Sequence, residues 1–531
     1  MTVGMTGTWD SRISRRTLLR TGGTLAAGLV LFDRSALRAD AVPPFEGFPF
    51  PLGVASGDMT TDSVVLWTRL APLGLDGTGM KDEAYGVRYE IAMDEDFARI
   101  VSRGTVPALP DEVHSVHAEV SGLQPDTEYW YRFKWGPTES RVGRTRTAPL
   151  PSETPDPLRF AFVSCQNFTH GYFTPYADLV EQNLDLVVHL GDYIYEGPGL
   201  IPGVRDHLPA STLMSLSDYR TRHAQYRTDE DLQSAQAAFP FVMTWDDHEF
   251  KNNYADLDID EPELPLETVA ARRTAAYLAY WEHAPLARAR KPVGKDMALY
   301  RRVDWGSLAW FHVLDTRQYR SNQMEQQCAL AQRDRESGYC PEQLDPARVM
   351  LGVQQREWLF KNLGGSNASW NVLANQVPFA PEDTADRLDR RSFFPDRWDG
   401  YVADRQRVLD FIAERGLGNV VAITGDSHVN WVRNVPPDFR SMDGTPVATE
   451  FIGTSISTNG NTTPGTTYGG DPNNPHHLFR DNRRGYVIVD AEPQRWTSTF
   501  RVVESVTEPH SPASTIATFA VEQGSPGAQR V

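Results

Sequence analysis

From Leu158 onward, short apolar runs recur along the chain, most of them ended by a glycine, an aspartate or an asparagine. Arg159 to Cys165, Leu184 to Leu190, Phe239 to Thr244, Leu308 to Leu314, Asn371 to Ala374 and Asn419 to Thr424 read as buried strands, brief and rich in β-branched and aromatic residues. Polar segments of helical character lie between them, with Leu266 to His283 among them. Strand alternating with helix predicts a layered α/β domain over residues 158–510. Residues 42–150 have a different texture. Ser63 to Leu70, Gly86 to Ala92, and a strand-turn-strand over His117 to Arg132 predict an all-β module. The proline-rich stretch Pro149 to Pro157 separates the two. After about Glu508 the pattern turns polar, and 511–531 is expected to be a loosely held tail.

The other bounds change this picture in two places. A length of 531 residues suffices for two domains or more. A formal net charge of -18 argues against a nucleic-acid backbone or an anionic membrane as the main partner. The N-terminus carries Ser14-Arg15-Arg16-Thr17-Leu18-Leu19-Arg20, a mild apolar stretch from Thr24 to Phe32, and a small-x-small site at Ala39-Asp40-Ala41. Residues 1–41 resemble a twin-arginine signal peptide, which predicts export of the folded protein, cofactor included, to the periplasm or beyond. With the leader set aside, no stretch is long enough to span a membrane. Cys328 and Cys340 bracket a polar loop and are placed to pair in an oxidising compartment. Cys165, at a strand end, is then either a ligand, a nucleophile or an inert buried thiol. In the all-β module, Gly122-Leu123-Gln124-Pro125-Asp126-Thr127-Glu128-Tyr129 is similar to the fibronectin type III pattern of a β-sandwich.

The chemistry gathers at the strand ends. Six runs deliver polar groups there: Cys165; Asp192 with Tyr195; Asp246, Asp247 and His248; Asp315 with Arg317; Asn375 and Gln376; Asp426 with His428. Strand ends facing one crevice are where α/β sheets build sites. A carboxylate and a phenol three residues apart, as at Asp192 and Tyr195, can turn onto one metal ion. The second carboxylate oxygen reaches a second ion, and a phenolate suits ferric iron. Each position alone has a plainer explanation, such as Asp247 capping a helix or Asn375 closing a turn, but six together point to a shared cause.

The order GD-x-x-Y, D-H-E, G-D-S-H resembles the calcineurin-like metallophosphoesterases, and within them the purple-acid-phosphatase-like branch. With S-C-Q-N, G-D-Y-I-Y-E, T-W-D-D-H-E and L-D-T-R-Q-Y-R added, nearly the whole chain beyond the leader is similar to the PhoD-type alkaline phosphatase family. That resemblance implies an αββα metallophosphoesterase sandwich behind a fibronectin III-like domain. It implies ferric iron on Cys165, Asp192, Tyr195 and His428. A second ion would lie on Asp192, Asp247, Asp426 and an amide oxygen of Asn375 or Gln376. Asp247, Asp426 and Asn375 depart from the wider superfamily, which has Asn at the first position and His at the other two. Carboxylate and amide in place of imidazole favour calcium over zinc or manganese. The implied chemistry is in-line attack of hydroxide on a phosphomonoester, or on a diester. His248 would protonate the leaving oxygen or stabilise the pentacovalent state. Arg317 is either a phosphate clamp or one half of a structural salt bridge. A phospholipase D-like activity, or a non-catalytic extracytoplasmic binding protein using the β-sandwich, are the rival readings.

Overall fold

Side chains of a strand alternate between its faces, so Phe160 and Phe162 point to one side of Leu158–Val163 while Ala161 and Val163 point to the other. In the computed structural model this alternation sorts the chain into layers. The structure describes residues 47–531 apart from 76, 78, 156, 325–332, 335–336, 386–390, 439–443, 462–468 and 470. The twin-arginine leader expected over 1–41, and Cys328, therefore lie outside the described residues; Cys340 is disulfide-bonded and Cys165 is free.

A ten-stranded sheet runs in the order Ser525–Arg530, Ala513–Glu522, Arg495–Val503, Gly485–Ala491, Leu158–Val163, Leu186–His189, Pro240–Met243, Val54–Gly57, Ser63–Arg69, Ser115–Ser121. A seven-stranded sheet runs Arg301–Trp305, Ala309–Val313, Trp370–Asn375, Val420–Thr424, Ala448–Ile452, Asn430–Val435, His477–Asp481. Their inner faces share one core, in which Phe160, Phe162, Val188 and Val242 meet Phe311, Val372, Ala374, Val421 and Ile423. The rings of Phe160 and Phe311 meet edge to face at 5.2 Å. Helices cover the outer faces. Pro175–Val180, Leu216–Tyr226, Glu230–Ala238 and Leu266–His283 pack on the first sheet, Gly352–Gly364 and Val402–Glu414 on the second. This is the expected αββα sandwich, and the central strands of both sheets are parallel, so their C-terminal ends open on one edge.

Two expectations need correction. The all-β module shares its sheet with the neighbouring region. Val54–Gly57 pairs in parallel with Pro240–Met243, so one leaf of its sandwich continues the large sheet. The other leaf is a separate five-stranded sheet around Tyr85–Ala92 and Glu128–Trp135. The tail expected over 511–531 is instead the last hairpin of the large sheet. Its alternation is muted because Ser514, Thr515 and Thr518 occupy the outward positions, yet Phe519 and Val521 are buried.

Candidate metal centre

Four residues at the common sheet edge adopt the left-handed backbone region although none is glycine: Cys165 at φ 60°, Asp192 at 55°, Asp426 at 57° and His428 at 53°. Each such residue costs about 1–2 kcal/mol, and the cost recurs where a chain must turn sharply to aim a side chain. The turns are held by neighbours. The Cys165 and Gln166 amides donate to the Gly191 and Asp192 carbonyls, both at 3.1 Å. Gly191 sits at φ 111°, and a Cβ there would come within 2.3 Å of the Asp246 amide nitrogen, so two strand ends touch backbone to backbone.

The side chains converge. Cys165, Asp192 and His428 have donor atoms within 4.8 Å of one another. The Tyr195 hydroxyl joins them, 3.0 Å from Asp192 Oδ2 and 3.0 Å from His428 Nε2. The other oxygen of Asp192 turns away to a second set, with Asp192, Asp247 and His248 again within 4.8 Å of one another. Its Oδ1 accepts from the His248 amide at 3.3 Å. Asp247 and Asp426 face the same guanidinium nitrogen of Arg317, at 3.7 and 3.5 Å. Asp247 Oδ1 is buried and has no hydrogen-bond partner, whereas a buried carboxylate oxygen normally has one. A cation fits that orphan and the donors around it.

Electrostatics agree. Burial, compounded by Asp192, pushes the Cys165 thiol and the Tyr195 phenol well above their usual ranges. Burial likewise raises Asp192, with Asp247 and Asp246 adding to it against the relief from His248. Asp426 is pushed up to about 6 by burial and by nearby Asp396, despite Arg317. Burial opposes charge on His248, but Asp247, Glu196 and Asp192 hold its pKa well above the ordinary histidine value. His428 is lowered to about 3 by burial and by Arg484, so it is a neutral imidazole, the ligand form. Crowded acids that resist ionising together are what a multivalent cation relieves.

Sequence reasoning placed the strand ends correctly but not every role. Arg317 is fully buried. Nε and Nη2 bind Asp246 at 2.5 and 3.1 Å, and Nη1 binds both oxygens of Asp396 at 2.8 and 3.1 Å. It holds carboxylates, which favours the salt-bridge reading, and Nη2 keeps one N–H on the side of Asp247 and Asp426. Gln376 is a brace. Its oxygen accepts from the Thr316 amide and hydroxyl at 3.0 and 2.8 Å, and its nitrogen donates to the Leu314 carbonyl. Asn375 keeps a lone pair, since its oxygen accepts one indole N–H, from Trp398 at 3.1 Å.

Other residues escaped notice. Glu196 Oε2 lies 2.6 Å from His248 Nδ1. Glu249 accepts the amides of Asp192, Tyr193 and Asp246, locking two strand ends together. Both sit inside recognised motifs, so the signal was there. Asp396 and Arg397, in contrast, line the cleft of about 260 Å³ from an irregular segment, with no pattern to mark them.

A family model described as PhoD-like phosphatase matches residues 160–500, and one described as PhoD-like phosphatase, N-terminal domain, matches 36–149. Alkaline phosphatase D of Bacillus subtilis (strain 168) is 44% identical over 536 residues, covering 98% of this chain and 90% of that protein. A solved structure of PhoD, 45% identical, superposes with a TM-score of 0.86 over 92% of this chain and 93% of its own. Purple acid phosphatase PPD1 from yellow lupin, 12% identical, shares the fold with a TM-score of 0.53 over 90% of this chain and 74% of that one.

Proposed function

The chain belongs to the PhoD-like phosphatase family, and we propose that it hydrolyses phosphomonoesters with two dissimilar metal ions sharing Asp192. The observation that carries this reading is the division of the Asp192 carboxylate. Oδ2 faces Tyr195, and Oδ1 faces the turn bearing Asp247 and His248. Cys165, Asp192, Tyr195 and His428 would hold ferric iron, which suits thiolate, phenolate and imidazole together. Asp192, Asp247, Asp426 and the free lone pair of Asn375 would hold calcium, which is content with oxygen donors. When bound, such ions neutralise phosphate oxygens and make a nucleophile available near neutral pH.

The chain's own groups do the rest. His248 gives Nδ1 to Glu196, which leaves Nε2 for the cleft, and its retained proton goes to the departing alkoxide. Glu196, buried and also accepting the Asn252 amide at 2.9 Å, is the positioning residue for that imidazole. Arg397 pairs with Glu382 through one nitrogen, lines the cleft, and would offer its remaining N–H groups to the phosphate oxygens. The leader supports export through the twin-arginine machinery and work outside the cytoplasm. Changing Arg15 and Arg16 to Lys should then leave precursor inside the cell.

A calcium-selective chelator tests the chemistry. Hydrolysis of a simple aryl phosphate should stop while the iron-derived colour persists, and calcium should restore activity better than zinc. Restoration by zinc and not by calcium would replace this reading with a pair of transition metals.

A further inference from the structure

The cleft over the metal centre is polar with one exception. Among the described residues that line it, Phe394 is the apolar one, and it is 47% exposed. A lone exposed phenylalanine is ordinary on a protein surface; this one is held in place on both sides. Phe393 is buried and stacks on Tyr339 with ring centroids 3.9 Å apart. Asp396 is tied to Arg317 at 2.8 Å and to Arg320 at 2.7 Å, and Trp398 is buried. With its neighbours pinned, the backbone that carries Phe394 is fixed at the cleft. The Arg397 guanidinium lies over one face of the ring, 5.1 Å from its centroid, and the ring remains 47% exposed. The cation assigned above to the phosphate and an aromatic ring with a face left for a ligand thus share one wall. Asn252 and Asn253 are exposed in the same cleft, and their side-chain amides make no hydrogen bond to the described residues. A planar group stacked on the ring would find donors and acceptors for its edge.

Building on the phosphatase reading, we infer that Phe394 is a platform for the alcohol part of the substrate and selects phosphate esters of ring-bearing alcohols of the nucleoside type. The phosphate would meet Arg397 and the cations that Asp192, Asp247 and Asp426 would hold, the ring stacks on Phe394, and its polar edge meets Asn252 and Asn253. Stacking of a base on an aromatic side chain is worth about tenfold or more in affinity.

The test compares a nucleoside monophosphate with glycerol phosphate on the metal-loaded protein. Phe394→Ala should lower kcat/KM for the nucleotide at least about tenfold more than for glycerol phosphate, with the loss mainly in KM. Phe394→Tyr, which keeps the ring, should retain the preference. An equal fall on both substrates, no fall on either, or loss of the preference in Phe394→Tyr overturns the platform. Hydrolysis of neither ester by the unmodified, metal-loaded protein would refute the phosphatase reading and the platform with it. Hydrolysis without this selectivity removes the platform alone.

Discussion

At the scale of single residues, charge compensation decides the roles. Arg317 has the planar fork of a phosphate clamp, and sequence alone left both roles open. Burial favours the salt bridge, because four hydrogen bonds tie the guanidinium to Asp246 and Asp396. Removing one member of a buried pair leaves an uncompensated charge and costs about 3–5 kcal/mol. Arg317→Gln should therefore lower the urea midpoint by that equivalent; a stable variant with a raised KM would restore the clamp. In the proposed mechanism Glu196, 2.6 Å from His248 Nδ1, acts through that imidazole. Glu196→Gln should slow esters of poor leaving groups about tenfold to a hundredfold more than p-nitrophenyl phosphate, because only the former need a proton from the imidazole. Equal slowing of both would make Glu196 merely structural. The residues legible in sequence were those in the G-D, D-D-H-E and G-D-S-H segments. Asp396, Arg397 and Phe394 were not legible, since an irregular segment has no period and its place beside the cleft is set by distant partners such as Arg317 and Arg320.

At the scale of elements, hydrophobic pattern predicted well where a strand is buried on both faces. Leu158–Val163, Leu186–His189, Pro240–Met243 and Val420–Thr424 fall within a residue or two of their expected bounds, and the helix Leu266–His283 coincides with its expected span. Half-exposed strands were harder, because outward polar residues mask the alternation. The last hairpin is the clearest case. Phe519 packs on Phe479 and Phe500, with centroids 5.6 and 6.4 Å away. The Gly527 and Ala528 amides donate to Thr449 and Asn434 of the other sheet, at 3.0 and 2.9 Å. The hairpin thus ties the two sheets together at one end. Burying a large apolar side chain is worth about 1.5–3 kcal/mol, so losing Phe519 and Val521 together costs about 3–6 kcal/mol, a large part of the total of about 5–15 kcal/mol that holds a typical domain folded. Deletion of 511–531 should give no soluble folded protein; a soluble, active truncation would show the hairpin to be dispensable.

At the scale of the whole molecule, the layered fold has two consequences, one for stability and one for the metals. Buried histidines set a pH limit. Burial, with Arg288 near one and Arg227 near the other, lowers His117 and His223 to about 3, while an unfolded histidine titrates at about 6.5. Between those values the unfolded chain binds protons that the folded one refuses. The stability these two histidines contribute is therefore full above about pH 6.5 and falls as the pH drops toward 3, by about 1.4 kcal/mol per histidine per pH unit. A urea midpoint that fell no more steeply from about pH 7 to pH 5 in the unmodified protein than in His223→Gln would contradict this. The proposed metal centre depends on the fold because its candidate ligands come from both sheets: Cys165, Asp192 and Asp247 follow strands of one, and Asn375, Asp426 and His428 end or follow strands of the other. At the middle stands a single carboxylate, and the most direct measurement is elemental analysis of Asp192→Asn beside the unmodified protein. Iron and calcium should both be present in the unmodified protein and should both fall sharply in the variant, with the visible band lost as well. Full retention of either metal, or an unmodified protein that is active and holds no metal, would contradict a centre shared through Asp192.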